Sequence, residues 1–377
     1  MKHLLSLLVC LVALAPMPAA AQPIPKPPST PGESYILMEA ATGKVLAEKN
    51  ADKRLAPASL TKIMTGYVVY KALADGSITL EDEVEVSEKA WRMGGSQMFL
   101  EVGDTVTVDK LLDGLVVQSG NDAALALAEH TGGSESAFVE QMNYYADQLG
   151  LENTHFENPE GLQKKTHYAS ARDMATLARA TIREFPERYE RYAKREFTYN
   201  DIEQYNRNDL LYSTDYVDGF KTGYTQEAGY CLVASGERDG MRLVSVVMGE
   251  PSEDARESSS RALLSWGYRF YASHRLYAAG EVLKEAPIWK GARDSVRLGL
   301  AEDLHVAIPK NAYDALEANM TFPGELVAPA RKGEQLGRVT VKLDGETVAE
   351  APLVALDEVA PGGFFQRMAD AVLMWFQ

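Results

Sequence analysis

Residues 53–65 read KRLAPASLTKIMT, and the pattern of this stretch predicts the start of a buried helix. After Pro57, apolar residues recur at intervals of three and four, the period of a helix that packs against a core. Ser59 and Lys62 lie three positions apart, which puts both side chains on one face of that helix. A serine hydroxyl becomes a nucleophile when a base lies within hydrogen-bond distance. The stretch therefore predicts a reactive serine, Ser59, with Lys62 as its base.

Lys62 can act as a base only where its charged form is disfavoured. Burial and the positive end of a helix dipole both lower the pKa of a lysine, and the start of a helix supplies both. The unpaired N–H groups at the same helix end suit the negative oxygen of a tetrahedral intermediate. The alternative is an ordinary helix start, with Ser59 near the amino end and Lys62 in solvent. For the motif taken alone, that alternative is the better interpretation.

A second motif, Ser119-Gly120-Asn121, follows an apolar stretch at residues 111–117 and precedes a strong helix-forming segment. Taken alone, it is typical of a loop that caps a helix. In a catalytic site, Ser119 would pass a proton between Lys62 and the leaving amine. Asn121 would donate its side-chain amide to the substrate backbone. Both tasks need short, polar and well-held side chains.

A third motif, Lys221-Thr222-Gly223, lies just before a predicted hairpin. A solvated surface turn would explain it when it is considered alone. On an edge strand that lines a cleft, Lys221 and Thr222 would hold an anionic group, and Gly223 would let the backbone approach the ligand closely. The chain contains a single Ser-x-x-Lys, and the three motifs follow one another in a fixed order. Their combination favours a catalytic site over three unrelated local features.

The remaining pattern predicts an α+β domain followed by a small all-β domain. Residues 34–38 and 45–47 flank a turn and predict one hairpin, and residues 230–234 and 242–248 predict another. Helical patterns cover four further segments: residues 108–129, 134–149, 170–183 and 258–271. This order favours an antiparallel sheet that takes strands from both ends of the domain. After about residue 282, short alternating stretches predict the β domain.

The first residues predict export. Lys2 and His3 precede an apolar run at residues 4–15, and an A-x-A site lies before Gln22. The run is shorter than the roughly 20 residues needed to cross a bilayer, so we interpret residues 1–21 as a signal peptide. Residues 22–33 are rich in proline and predict a flexible or extended tether. We therefore expect the mature protein outside the cytoplasm.

Composition limits the classes of function. With 377 residues, 46% of them hydrophobic, the chain is long enough for one large domain and a smaller one. Cys10 lies in the signal peptide, so Cys231 would remain alone and form no intramolecular disulfide. The formal net charge of -16 argues against nucleic-acid binding, which requires a basic surface. We expect no cofactor and no metal, because the six histidines are scattered and no His-Glu-x-x-His pair occurs.

Together, the three motifs resemble those of the penicillin-recognising serine enzymes, and in particular the low-molecular-mass penicillin-binding proteins that act as D-alanyl-D-alanine carboxypeptidases. Residues 118–123, 158–162, 206–208 and 218–223 add to the resemblance, which covers nearly the whole mature chain. It implies a fold of the α+β class, with a β-lactamase/transpeptidase-like domain. The implied organisation, after the signal peptide and tether, is a peptidase domain at residues 34–280, a small β domain at residues 281–361, and a C-terminal amphipathic helix at residues 362–377.

The resemblance also implies the catalytic roles. Ser59 would be the acyl-enzyme nucleophile, Lys62 its base and Ser119 the proton relay. The backbone N–H groups of Ser59 and Tyr224 would form the oxyanion hole. The implied reaction removes the terminal D-alanine from peptidoglycan pentapeptide stems, and penicillin would acylate the same serine as a covalent inhibitor.

Substrate binding is implied for a second set of residues. Asn121, Lys221, Thr222 and Gly223 would contact the substrate, and Arg207 would bind the free terminal carboxylate of the peptide.

The carboxyl end predicts a peripheral membrane contact on the periplasmic side of the cytoplasmic membrane. Residues 362–377 place a group of apolar side chains on one helix face: Phe364, Phe365, Met368, Val372, Trp375 and Phe376. Arg367 is the only cation, whereas the resembling enzymes usually carry a longer anchor with several cations. The alternative is a helix that docks on the protein.

Four alternative functions differ from this one in the residues that they require. A β-lactamase must also hydrolyse its acyl-enzyme quickly, and no Glu-x-x-Leu-Asn motif is present for that step. A D,D-endopeptidase that cleaves peptidoglycan cross-links uses the closest chemistry. A metallo-carboxypeptidase lacks its ligands here, and a non-catalytic envelope protein would have no reason to keep every motif. The alternatives that stay open are the D,D-endopeptidase and a weak β-lactamase.

Overall fold

The computed structural model describes residues 24–322 and 324–375, so the predicted signal peptide lies outside the described residues. The α-helices in the described part are, in chain order, α1 (Thr61–Ala74), α2 (Glu88–Trp91), α3 (Val108–Asp113), α4 (Asn121–Gly132), α5 (Glu135–Gln148), α6 (Ala171–Glu184), α7 (Pro186–Tyr189), α8 (Leu210–Ser213), α9 (Glu253–Phe270) and α10 (Phe364–Leu373). The strands that precede α10 fall into two groups, one in each domain.

The strands of the first domain are β1 (Ser34–Glu39), β2 (Val45–Lys49), β3 (Glu83–Glu85), β4 (Thr105–Thr107), β5 (Glu196–Tyr199), β6 (Ile202–Tyr205), β7 (Val217–Thr225), β8 (Gly229–Arg238) and β9 (Met241–Glu250). Five of them form an antiparallel sheet in the order β2-β1-β9-β8-β7. The prediction of a sheet built from both ends of the domain is confirmed. As predicted, the third motif lies on an edge strand, β7.

The central sheet is buried on both faces. In β1, Ile36 packs into a core shared with the helices α1, α4 and α6, whereas its neighbour Leu37 packs on the opposite face against α9. In β9, Val246 likewise packs into the first of these cores and Val247 into the second. Successive side chains of a strand point to opposite faces, so a sheet between two helical layers needs apolar residues at nearly every position.

The helix predicted at residues 108–129 is interrupted. α3 is followed by a π-helical turn at Gly114–Gln118, after which Ser119 adopts a left-handed conformation with φ of 64°. The backbone N–H of Gly120 donates to the carbonyl of Gly114, and that of Asn121 donates to Ser96. The non-apolar residues 118–122 interrupt the apolar period at this point, in agreement with the loop that the second motif suggests.

Two other predicted segments differ in detail. α9 begins at Glu253, before the predicted residue 258, because the Ser252 side chain accepts the N–H of Ala255 and caps the helix. The described part of the predicted tether is extended but lies against the first domain. The Trp266 indole donates to the carbonyl of Pro25 at 3.1 Å, Lys49 donates to that of Gly32 at 2.7 Å, and Thr30 is buried.

The second domain is all-β, as predicted. Its strands are β10 (Tyr271–Tyr277), β11 (Lys284–Trp289), β12 (Ser295–Gly299), β13 (Leu304–Pro309), β14 (Leu316–Thr321), β15 (Leu326–Val327), β16 (Gln335–Leu343) and β17 (Glu346–Ala355). Six of them form a sheet in the order β14-β16-β17-β12-β11-β15, and β10 pairs with β13. β10 therefore belongs to this domain, although it starts before residue 281.

The C-terminal helix α10 buries none of its side chains. Phe365 is 85% exposed, and the apolar face that it shares with Phe364 and Val372 points away from the protein. The carboxylate of Asp370 accepts the backbone N–H of Lys290 and holds the helix at the second domain. Phe376 lies outside the described residues. Within residues 24–322 and 324–375, no helix combines the length and apolarity needed to cross a bilayer.

Candidate active site

Ser59 lies in a short 3-10 turn, Ala58–Leu60, directly before α1. Ala58 has a left-handed φ of 48°, and the Leu60 N–H donates to the carbonyl of Pro57 at 3.1 Å. The turn therefore presents Ser59 at the amino end of a helix whose next residues are buried. This is the arrangement that the sequence predicts for a reactive serine.

Lys62 is fully buried, and its amine has three acceptors from three parts of the chain. Nζ donates to Oγ of Ser59 at 3.0 Å, to Oδ1 of Asn121 at 2.7 Å and to the carbonyl of Glu160 at 2.7 Å. Burial lowers the pKa of Lys62 to about 7, while the negative charges of Glu160 and Asp122 oppose that shift. A large share of the amine is therefore neutral near pH 7, which a base requires.

The second motif faces the same amine. Oδ1 of Asn121 accepts from Lys62, and Nδ2 donates to the carbonyl of Gly94 at 2.6 Å. The side-chain amide has a second N–H, which is the one that a substrate could use. The Ser119 hydroxyl is buried in the same cleft and has no hydrogen-bond partner among the described residues. A buried hydroxyl without a hydrogen-bond partner is suited to relay a proton.

Asp122 supports this motif, although the sequence analysis gave it no role. Its carboxylate accepts the backbone N–H groups of Met98, Phe99 and Leu100 at 3.0 to 3.2 Å. Asp122 thereby fixes the loop before β4 that also carries Gly94, the acceptor for Asn121. An acidic residue in the first turn of a helix is a common capping feature, so sequence alone gave no reason to single it out.

The segment at residues 158–162 closes the other side of Lys62. Thr65 donates its hydroxyl to the carbonyl of Pro159, and the Asn158 side chain accepts the N–H of Gly161. Gly161 has φ of 89°, and a Cβ atom there would lie 1.9 Å from the carbonyl oxygen of Ala58. This approach is possible only for glycine. The sequence resemblance included this segment, but its contact with Lys62 was not foreseen.

The third motif packs against the Ser59 turn. A Cβ atom on Gly223 would lie 3.2 Å from the backbone nitrogen of Ser59, so β7 and the turn are in close contact. The next peptide carries the N–H of Tyr224, the second predicted oxyanion donor. Thr222 is buried and lines the cleft, and the Lys221 amine donates to the Thr222 carbonyl at 3.0 Å. Burial, with the nearby cations Lys62 and Arg207, lowers the pKa of Lys221.

Arg207, predicted to bind the terminal carboxylate, lines the cleft. Its side chain is exposed and lines the same cavity of about 620 Å³ as Ser59 and Thr222. Arg256, which sequence analysis missed, is buried beside it and donates to the Arg207 carbonyl at 3.3 Å. No local pattern marked Arg256, because it lies inside α9 and reaches the cleft only through the fold.

The predicted site residues therefore lie around one cleft. The Ser59 hydroxyl contacts a buried amine, the Ser119 hydroxyl has no partner among the described residues, and the cations Arg207 and Arg256 line the same cleft. Such an arrangement can carry out acyl transfer to a serine. A larger and more open depression of about 810 Å³ lies elsewhere, lined by Lys89, Glu135 and His155 among others, and contains none of the predicted site residues.

Comparisons with known proteins identify the family. Residues 21–252 match the family model described as D-alanyl-D-alanine carboxypeptidase, and residues 271–361 match the C-terminal domain of penicillin-binding protein 5. The chain is 43% identical to the D-alanyl-D-alanine carboxypeptidase DacA of Escherichia coli over 361 residues, which cover 94% of this chain and 90% of that relative.

Two further comparisons extend over most of the chain. DacF of Bacillus subtilis, also a D-alanyl-D-alanine carboxypeptidase, is 39% identical over 100% of this chain and 99% of its own length. The crystal structure of penicillin binding protein 5 from Haemophilus influenzae has a TM-score of 0.84 and 42% identity, covering 89% of this chain and 99% of that one.

We predict that Gly161→Ala slows labelling by fluorescent penicillin roughly tenfold to a hundredfold, because the added Cβ displaces the Glu160 carbonyl from Lys62. Gly150→Ala is the matched control. Gly150 also has a positive φ, of 69°, but a Cβ there meets nothing within 4 Å. Equal labelling rates for the two variants would contradict the proposed importance of this contact.

Proposed function

The chain belongs to the D-alanyl-D-alanine carboxypeptidase family of serine peptidases, and on that basis we propose that it acts through an acyl-enzyme on Ser59. It is a hydrolase of this specificity. The observation that carries the assignment of the nucleophile is the distance of 3.0 Å between Nζ of Lys62 and Oγ of Ser59. The substrate is the terminal D-alanyl-D-alanine of a peptidoglycan pentapeptide stem.

Acylation begins with proton transfer from Ser59 to the neutral amine of Lys62. Oγ attacks the carbonyl carbon of the penultimate D-alanine, and the electron pair of the C=O bond moves to the oxygen. The backbone N–H groups of Ser59 and Tyr224 stabilise that negative oxygen. Lys62 returns its proton through Ser119 to the nitrogen of the terminal D-alanine, which leaves as the C–N bond breaks. Water then hydrolyses the ester and regenerates Ser59.

Arg207 gives the enzyme its preference for a chain end. A guanidinium binds a carboxylate through two parallel hydrogen bonds, and Arg207 lies in the cleft with Thr222. Lys221 and Thr222 add a second positive and hydrogen-bonding surface on β7. Asn121 directs its remaining amide N–H to the substrate backbone. Penicillin would bind in place of this peptide, because its strained amide would lie next to Ser59 in the position of the scissile bond.

Export and membrane contact complete the proposal. The signal-peptide pattern at residues 1–21 supports export to the periplasm. The exposed apolar face of α10 supports peripheral contact with the outer leaflet of the cytoplasmic membrane. Because Arg367 is the only cation of this helix, contact would depend on apolar burial more than on attraction to anionic lipid.

Mass spectrometry after brief exposure to penicillin should locate the adduct on a peptide that contains Ser59. Lys62→Arg should abolish the adduct, because a guanidinium stays protonated and cannot accept the serine proton. An adduct on another residue would overturn the assignment of the nucleophile. Near-normal labelling of Lys62→Arg would leave Lys62 with a structural role only.

Arg207→Ala should reduce kcat/KM for a free-acid D-alanyl-D-alanine peptide roughly tenfold to a hundredfold, the cost of about 1.5–3 kcal/mol for one charged contact. Acylation by a substrate that lacks the carboxylate should change far less. Arg238→Ala removes an exposed arginine outside the cleft and serves as the control. Equal losses on both substrates, or a preference of the unmodified enzyme for cross-linked dimers, would favour a D,D-endopeptidase.

Removal of residues 363–377 should release the protein from lipid vesicles while activity on soluble peptides is retained. Phe365→Glu should weaken sedimentation with vesicles more than Gln366→Glu, since both add one charge but only the first removes an exposed aromatic ring. If the full-length protein does not sediment with vesicles, the membrane role of α10 is wrong.

A further inference from the structure

Glu160 is held beside the catalytic amine by its own main chain. Its carbonyl accepts from Nζ of Lys62 at 2.7 Å, and the preceding carbonyl, of Pro159, accepts from Thr65 of α1 at 2.5 Å. The following residue, Gly161, is in contact with the carbonyl of Ala58. The three consecutive residues are thus attached to the catalytic helix and its turn. The main chain of Glu160 is therefore fixed next to Lys62.

The carboxylate of Glu160 is buried and incompletely paired. The residue is 5% exposed and lines the catalytic cleft. Oε2 of its carboxylate has no hydrogen-bond partner in residues 24–322 and 324–375. Burying an unpaired carboxylate oxygen is costly, so a group in this state within a cleft points to a functional reason for its retention.

Two carboxylates act on Lys62, and their other contacts differ. Asp122 accepts hydrogen bonds from backbone N–H groups of the loop before β4, so its burial is explained by a structural role. Oε2 of Glu160, by contrast, has no hydrogen-bond partner among the described residues. The main chain of Glu160 places this carboxylate beside Lys62, since its carbonyl accepts from Nζ at 2.7 Å. The charge of Glu160 favours the ammonium form of Lys62 and is the larger of the two opposing influences on the pKa of that amine.

The two buried lysines of the cleft illustrate the effect. Both amines are fully buried, and burial is the main cause that lowers the pKa of each. The charges that act on Lys221 are all cations, and its pKa lies well below the ordinary value. Lys62 has Glu160 and Asp122 nearby, and its pKa lies at about 7. Neighbouring carboxylates thus distinguish Lys62 from Lys221, on which only cations act.

We propose that Glu160 is a positioning residue for the proton of Lys62: its charge retains that proton and so sets the lowest pH at which Ser59 is acylated. This inference rests on the proposed role of Lys62 as the base for Ser59. Glu160 does not touch the substrate in this scheme. It acts through Lys62, and its removal would let the amine lose its proton at lower pH.

The charged groups around this pair come from several elements. Those acting on Lys62 are Glu160, Asp122, Arg207 and Lys221, and those acting on Glu160 are Lys62, Glu135, Lys164 and Lys89. Burial is the largest influence on the pKa of Glu160 and raises it, while the charge of Lys62 lowers it. Since a carboxylate stabilises the charged form of a lysine, replacing Glu160 by a neutral residue lowers the pKa of Lys62.

The test is the pH profile of the acylation rate constant for fluorescent penicillin in the full chain. In the unmodified enzyme, the rate should fall as Lys62 becomes protonated below about pH 7. In Glu160→Gln, the midpoint of this acid limb should move to lower pH by about one unit. Relative to its own plateau, the variant should therefore react up to about tenfold faster than the unmodified enzyme on the acid side.

Three further variants make the result specific. Glu157→Gln removes the same charge from a neighbouring position of the segment, away from Lys62, and should leave the midpoint unchanged. Glu160→Asp keeps the charge and should keep the midpoint close to the original. Glu160→Ala is a second neutral variant, to be used if the glutamine variant does not fold, and should shift the midpoint in the same direction.

The outcomes separate this inference from the proposed function. An acid limb of Glu160→Gln that coincides with that of the unmodified enzyme, or lies at higher pH, would overturn the role of Glu160. The same holds if both neutral variants fold but lose labelling at every pH. By contrast, failure of the unmodified enzyme to label on Ser59 would overturn the proposed function itself, since the reaction that reports on Lys62 would be absent.

Discussion

The hydrogen bonds of one buried amine connect the parts of this site. Nζ of Lys62 reaches Ser59 in the turn before α1, Asn121 at the start of α4, and the carbonyl of Glu160 in the segment that follows α5. Removing an ammonium group from water is costly, and only several well-placed acceptors offset that cost. The positions of the three acceptors are therefore coupled, and any change that shifts one of them also alters the hydrogen bonding of the amine.

The close contacts of the cleft depend on glycine and on a rigid sheet. Gly161 approaches the Ala58 carbonyl at a distance that no side chain would permit, and a Cβ atom on Gly223 would lie only 3.2 Å from the backbone nitrogen of Ser59. β7, which carries Gly223, is held in place by its pairing with β8 in a sheet that is buried on both faces. A scaffold of this kind fixes reacting groups more accurately than loops alone would, because the packed helices on either side prevent the strand from moving.

The two domains carry different features of the proposed function. The first domain carries the cleft and a set of buried charged groups around it. The second is a β domain with its own apolar core, and α10 is attached to it through Asp370. The exposed apolar face of α10 has no counterpart within the described residues that would bury it. This contrast is consistent with chemistry in one domain and attachment in the other.

The sequence by itself determined the fold class, the two hairpins, the order of domains and the three motifs, because hydrophobic period and turn residues are local properties. It also identified Ser59 and Lys62 as partners, since a spacing of three on a helix brings them together without help from the rest of the chain. The tertiary structure alone decided the other contacts. Arg256 reaches the cleft only from α9, and no local pattern marks it. Glu160 and Asp122 act on Lys62 across 98 and 60 positions of sequence, respectively. Such groups leave no local pattern, because their burial and their effect on a distant lysine arise only when the chain has packed.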